Sequence, residues 1–525
     1  MIPFSETPMP PPFPAVLRFG FTFTFYIFHG AARAVYIFRF LKIIFILPLF
    51  PSFLLSAQPR VLTLQEAVEL GKANSPYYYR AKNTYERSYW RYQNFKARFK
   101  PQIRLNATAP TFFRSINPVT QPDGSIEFRR VNQANNSIGL NVVQNIGLTG
   151  GQLRFGTALQ RTDNFLAGQE SFFLSSPFTL SYDQNALLYN ELKWRKLIEP
   201  LTYETAYRGY AEDMEEAGLQ AVSLFFEGLT AQVAVEISQT NQANTDTLYK
   251  ISKERFGIGK ITENELLQLE LNTLNAQNQV NEAKVNLEIA SQNLKRILGL
   301  PLTEQLVYTI PPQIPALSIS PELALSEARN NRKALIDFKS QRLEADRLIA
   351  EAKGSNSINF SVLANVGTQQ TGQRFSDAYS NLQNRQYIGV NIDVPIQDWG
   401  YRKSQIKLAK ANRELVEVTV KQEEITFEQE IYLQALRFNQ QNSQLAVAQK
   451  ADTIAHRRLE ITKQRYLLGK ISTTDLNIAL NETVQARQNF VNVLKTYWTS
   501  FYTLRRLTLF DFQRIEKITY GEKRF

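Results

Sequence analysis

Few residues in this chain could do covalent chemistry. Its 525 residues include no cysteine and two histidines, His29 and His456. Disulfides, thiolate zinc sites and cysteine nucleophiles are excluded. His29 lies in an N-terminal segment that reads as removable, so a histidine metal cluster or His-centred triad is excluded from the mature chain. No phosphate loop or nucleophile motif occurs, and no carboxylates are paired for acid–base work. The sequence reads as a non-enzyme that needs no cofactor or metal. What does stand out is a charged turn that occurs twice. Ile251-Ser-Lys-Glu-Arg-Phe-Gly-Ile-Gly-Lys-Ile-Thr262 is echoed by Ile461-Thr-Lys-Gln-Arg-Tyr-Leu-Leu-Gly-Lys-Ile-Ser472, and an acid and a leucine follow each: Glu265-Leu266 and Asp475-Leu476. An acid at this place admits two roles. Brought near one axis by symmetry, copies of Asp475 would concentrate negative potential and favour cations. Alternatively, Asp475 is a first-turn acid that favours its helix macrodipole. Arg255 and Arg465 likewise either contact a partner or cap the carbonyls of the preceding helix.

The elements around these turns are long helices. After the first copy a seam reads Leu266, Leu269, Thr273, Ala276, Val280, Ala283, Leu287; after the second, Leu476, Ala479, Thr483, Ala486, Phe490, Val493, Tyr497. Both keep 3–4 spacing, as in a coiled coil, and their small residues allow close helix approach. Tyr401 to Leu468 lacks Gly and Pro, which predicts roughly 100 Å of continuous helix. Ala411, Val418, Ile425 and Tyr432 recur every seven residues along it. A helix that long cannot fit inside a compact domain.

Other segments alternate apolar and polar residues. Ile103, Leu105 and Ala107, then Leu153, Phe155, Thr157 and Leu159, then Ile388, Val390, Ile392 and Val394 each sit every second residue. This is the weak signature of an outer-membrane strand, and equally of a soluble antiparallel sheet. Between Pro101 and Pro200 four such segments are expected, near 103–113, 137–146, 151–161 and 178–184; the second half shows two. Gly147-Leu148-Thr149-Gly150-Gly151 is expected to join an additional hairpin. Each half follows one plan: a helix (Tyr77 to Lys100; Glu322 to Lys353), strands, then two long helices around the repeated turn. The expected divisions are a signal peptide or targeting segment at 1–57, a first repeat at 58–310, a Pro-rich linker at 311–321, a second repeat at 322–510 and a tail at 511–525.

Residues 1–57 hold a Pro cluster, Arg33, Arg39 and Lys42, and an apolar run from Ile43 to Leu55, the order of a secretory signal. The formal charge of +12 falls to +9 without them. No cluster of Lys and Arg is interleaved with aromatics, so nucleic acid is not an expected partner. A secreted chain without a helical membrane span is either soluble or enters a membrane as a barrel.

The duplicated Arg-aromatic-x-x-Gly turn, the heptads after it and the two-half plan together resemble the TolC-like outer membrane efflux protein family over essentially all of 60–510. The resemblance implies a mixed α and β fold: a long α-helical coiled-coil barrel beneath a transmembrane β-barrel shared by a homotrimer, with two pseudo-repeats and four strands per chain. It implies a passive export duct of a tripartite efflux or type I secretion system. The duct would sit in outer-membrane lipid, extend into the periplasm and meet a periplasmic membrane-fusion adaptor and an inner-membrane pump. Asp475, Glu265 and Tyr466 would then line or latch the periplasmic aperture. Arg255, Phe256, Gly259, Lys260 and Leu266, with Arg465, Gly469, Lys470 and Leu476, would form the adaptor-docking hairpin tips. Ile478 and Ile471 depart from the family's second aspartate and its arginine. Many relatives carry a lipid on an N-terminal cysteine, which this chain lacks. The competing reading is a secreted, non-membrane coiled-coil scaffold.

Overall fold

The computed structural model describes residues 59–520 except 167, 169, 186, 312–316, 356–357, 469 and 472. The expected targeting segment, much of the Pro-rich linker and Gly469 therefore lie outside the described residues.

The first half runs β1 (Arg60–Leu62), α1 (Leu64–Asn74), α2 (Pro76–Ala97), β2 (Gln102–Thr120), β3 (Ile126–Asn145), β4 (Gln152–Asn164), β5 (Phe172–Gln184), α3 (Glu191–Gly257) and α4 (Glu263–Leu298). The second runs β6 (Leu306–Tyr308), α5 (Pro321–Asn331), α6 (Ala334–Ser355), β7 (Asn359–Gly372), β8 (Gln383–Asp393), α7 (Tyr401–Leu467) and α8 (Thr473–Thr508). A small antiparallel pair, β9 (Phe510–Asp511) and β10 (Glu516–Lys517), follows. The halves join through β1 and β6, which pair in parallel.

Local chemistry explains most boundaries. The Thr63 hydroxyl accepts the Glu66 N–H at 3.2 Å to start α1, and Ser75 accepts the Tyr78 N–H at 3.1 Å to start α2, with Pro76 at the first helical position. One boundary overturns an expectation. Glu322 to Lys353 reads as one helix, but the chain breaks at Arg332, which is extended at φ −73°, ψ 152°. No Pro or Gly marks the place. The cause is tertiary: the Lys333 N–H donates to the buried Glu212 carboxylate of α3 at 3.0 Å, and Arg332 pairs with the same carboxylate at 3.4 Å. Conversely, α3 continues through Pro200.

The six long strands form one antiparallel meander, ordered β2-β3-β4-β5-β7-β8. All four strand segments expected in the first half are there. The register separates two faces. Ile103, Val142, Phe155, Leu180 and Val366 lie opposite one another along one row. The next row, on the other face, is Arg104, Asn141, Gly156, Thr179, Gly367 and Arg385. The second face also carries polar cross-strand bonds, such as Asn365 to the Ser181 hydroxyl at 2.8 Å.

Below the sheet the helices form a wall. Near the sheet it is built from α2, α3, α6 and α7; farther away the order is α4, α3, α8, α7. Its core holds Phe225, Phe226, Phe438, Tyr497 and Phe501, all essentially sealed from solvent. Over one 18-residue window α3 has mean hydropathy 1.2, apolar enough for a membrane span by composition, but 44% of that window is buried. Gly228 lets α3 approach Tyr308: a Cβ there would lie 2.3 Å from the ring. The Tyr308 hydroxyl donates to Ser291 at 3.0 Å, and the Tyr308 N–H donates to Gln232 at 2.8 Å, so the ring is pinned.

A buried charge cluster fastens the halves together. Glu215 of α3, fully enclosed, accepts from Lys72 of α1 at 2.6 Å and from Arg505 of α8 at 3.1 Å. The Tyr520 hydroxyl donates to Glu215, and Arg505 also pairs with Asp511. Burial alone would push the Glu215 carboxyl up; Lys72 and Arg505 outweigh it and hold the carboxyl below its ordinary value. Burial is also the largest influence on Lys72 and pulls its ammonium down against the attraction of Glu215.

Candidate functional site

The repeated turns are the tips of two helical hairpins, α3–α4 and α7–α8. At both, the chain leaves the helix through the same backbone bond: Lys260 N–H to Arg255 O at 2.9 Å, and Lys470 N–H to Arg465 O at 3.0 Å. Gly259, at φ +71°, supplies the left-handed residue this stop requires. Thr262 then opens α4 with a reciprocal cap. Its hydroxyl accepts the Glu265 N–H at 3.3 Å, while the Glu265 carboxylate accepts the Thr262 N–H at 2.9 Å.

The second tip has a core and the first does not. Tyr466, Leu459, Leu476, Ala479 and Leu480 cluster with Leu248 of α3, and Ile471 packs on them. Tyr466 is 8% exposed, whereas Phe256, its counterpart, is 40% exposed beside an open Ile258. Arg255, Lys260, Arg465 and Lys470 all point into solvent, and Leu266 is half-buried where Leu476 is buried. Asp475 is exposed in the first turn of α8, where it lines a groove with Arg457, Arg458, Arg465 and Ile478. Asp475 and Arg465 thus come together. Glu265 and Tyr466 do not: among the described residues no hydrogen bond joins them, Glu265 serving its own cap and Tyr466 the tip core. Among the described residues no group of three or more His, Asp or Glu side chains could hold a metal ion.

Sequence reading missed two features of the wall. One is the Glu215 cluster. The other is a tyrosine stack below the sheet, where Tyr92 and Tyr203 lie parallel at 5.0 Å and the Tyr85 and Tyr203 hydroxyls are 3.0 Å apart. Their members come from distant segments and leave no local pattern.

The class of architecture is an antiparallel sheet with one apolar face, set on a wall that includes two helices of 67 residues. Residues 324–508 match the family described as outer membrane efflux protein. The outer membrane protein TolC of Salmonella enteritidis is 22% identical over 352 residues, which are 62% of this chain and 67% of that protein. The fold is similar to the Campylobacter jejuni CmeC outer membrane channel (TM-score 0.61, 18% identity, 85% of each chain). It is also similar to the open state of the Neisseria gonorrhoeae MtrE outer membrane channel (TM-score 0.58, 14% identity, 89% of this chain and 92% of that one). The fold is therefore that of TolC-like outer membrane channels, and the second half of the chain carries the outer membrane efflux protein match.

Proposed function

We propose that three copies of this chain close into one passive export duct of a tripartite efflux or type I secretion system. What carries the reading is that both layers are open at their sides. The sheet ends in unpaired edges at β2 and β8. The helical wall ends in α4 and α7, and both carry apolar stripes at heptad spacing that nothing among the described residues covers: Leu267, Leu271 and Leu274 on one, Val418, Ile425 and Tyr432 on the other. An open sheet cannot stand in lipid, because its edge groups would go unbonded. Copies of the chain seal edge to edge and stripe to stripe. A secreted scaffold would leave the apolar face of the sheet in water.

In this duct the hairpin tips form the periplasmic entrance. The open Phe256 and Ile258 at the first tip suit an adaptor that links the duct to an inner-membrane pump, and Asp475 faces the passage at the second. Fractionation tests the assembly. The protein is expected in the sarkosyl-insoluble membrane fraction, migrating as a trimer until heated. Recovery as a soluble periplasmic monomer would refute the reading.

A further inference from the structure

The resemblance to TolC implies four strands per chain, but this sheet has six. We propose that the additional hairpin, β2–β3, is part of the membrane wall, so that the closed barrel has eighteen strands rather than twelve, with β8 of each chain pairing to β2 of the next. The proposal rests on the trimeric duct argued above.

Three observations carry it. First, β3 is bonded to β4 along Gln133–Asn145, so the hairpin is continuous with the sheet. Second, its apolar residues fall on the same face as those of the other strands: Leu105 lies opposite Leu140, and Ala107 opposite Ile138, which lies opposite Leu159. Leu105 is 67% exposed and Leu140 44%, comparable to Val390 of β8 at 57%. A flap in water has no use for that face.

Third, the apolar band is inclined as a barrel demands. It centres near Leu105 in β2 and near Leu140 in β3, its register partner, but in β8 it centres near Asn391 while the same row crosses that strand near Asn384. The band therefore drifts by about seven residues over five strand steps. At ~3.3 Å per residue and ~4.8 Å between strands, this is an inclination of about 45°, within reach of the tilt of strands in closed barrels. The membrane plane crosses all six strands obliquely. Past the irregularity between Thr108 and Thr111, where β2 and β3 extend beyond β4, this face becomes mixed, with Arg114 and Arg130 set among Phe112, Ile116 and Phe128. With ~40° tilt, eighteen strands give a backbone radius of ~18 Å, against ~12 Å for twelve.

The absence of native cysteine makes the test direct. Single cysteines along β8 are combined with single cysteines along either β2 or β4, and membranes are treated with an oxidant or a short bis-maleimide. The eighteen-strand barrel gives cross-linked dimers and trimers for β8 with β2 and none for β8 with β4. Cross-links between β8 and β4 would overturn it, because they require the hairpin to lie outside the wall. Spin labels at Leu105, Leu140 and Val390 give a second reading: collisions with oxygen should dominate at all three. Water-soluble nickel relaxing Leu105 and Leu140, but not Val390, would overturn the proposal and leave the duct standing. Nickel relaxing Val390 as well, with no cross-link in either series, would overturn the duct itself.

Discussion

Glu215→Gln changes one atom at the junction of the two halves, and its effect can be worked from the contacts. Wild-type Glu215 is fully buried and is met by two cations, Lys72 at 2.6 Å and Arg505 at 3.1 Å, themselves about one-seventh exposed. The amide keeps the shape and removes the charge. Arg505 retains Asp511, but Lys72 loses its carboxylate and is left with neutral acceptors, the new amide oxygen and the Tyr520 hydroxyl at 2.7 Å. Breaking a buried ion pair from one side costs about 3–5 kcal/mol, because the uncompensated charge stays buried. Spread over a chain of this size, that lowers the midpoint of thermal unfolding by roughly 3–5 °C. Circular dichroism at 222 nm, on protein in detergent at one fixed scan rate, reads it out through the helices. Glu215→Gln combined with Lys72→Met should recover part of the loss, since the stranded ammonium is gone.

The pH dependence has a definite sign. The Glu215 carboxyl titrates below its ordinary value when folded. Its contribution is therefore fully present above about pH 4.5 and is lost as pH falls through the folded value. The gap between wild type and Glu215→Gln should be widest near neutrality and narrow in acid. A midpoint unchanged at pH 7, or a gap that widens in acid, would refute the assignment of Glu215 as the charge that holds the cluster.

Gly228→Ala should lower the unfolding midpoint despite the better helix propensity of alanine, by a net ~1–2 kcal/mol, because the added carbon meets the pinned Tyr308 ring. Gly257→Ala, with nothing within 4 Å, is the control and should be neutral or slightly stabilising. Gly259→Ala should cost about 1 kcal/mol through its positive φ alone and speed amide exchange in residues 255–265, whereas Gly259→Asn should cost less. Asp475→Asn should reduce cation preference in planar bilayers, since the groove it lines otherwise carries Arg457, Arg458 and Arg465. Unchanged selectivity, with faster exchange at the start of α8, would leave Asp475 as a first-turn acid only.

The periodic parts of this protein could be read before it was folded. The 67 residues of α7 follow from a Gly- and Pro-free run, and the duplicated turn reappears as one backbone bond made twice. Strand ends were less legible. β3 begins at Ile126, well before the alternation at Ile138, because its first residues are held only by β2 and carry no inward pattern. The break at Arg332 was invisible because Glu212, 120 residues away, makes it. At the candidate site the Glu265 cap is local and legible, since Glu265 stands three residues after Thr262, whereas the packing of Tyr466 against Leu248 of α3 leaves no local pattern.

The distribution of the core argues where the duct can open. One large cluster joins β1, α1, α3, the end of α4, α5, α6, the middle of α7 and α8, with Glu215 and its partners beside it. Separating the halves there would strip many side chains, each worth about 1.5–3 kcal/mol when fully buried. At the tips the connection is thin. Among the described residues, α4 adds nothing to the tip cluster and α3 enters it through Leu248 alone. Swinging the α7–α8 hairpin away from α3 therefore releases Leu248 and the surfaces facing it, a few kcal/mol in all. A partner can shift a conformational equilibrium only by its differential affinity for the two states, and a few kcal/mol lies within that range. In the proposed duct, a partner that binds the splayed tips more tightly would open the second hairpin without disturbing the wall above it.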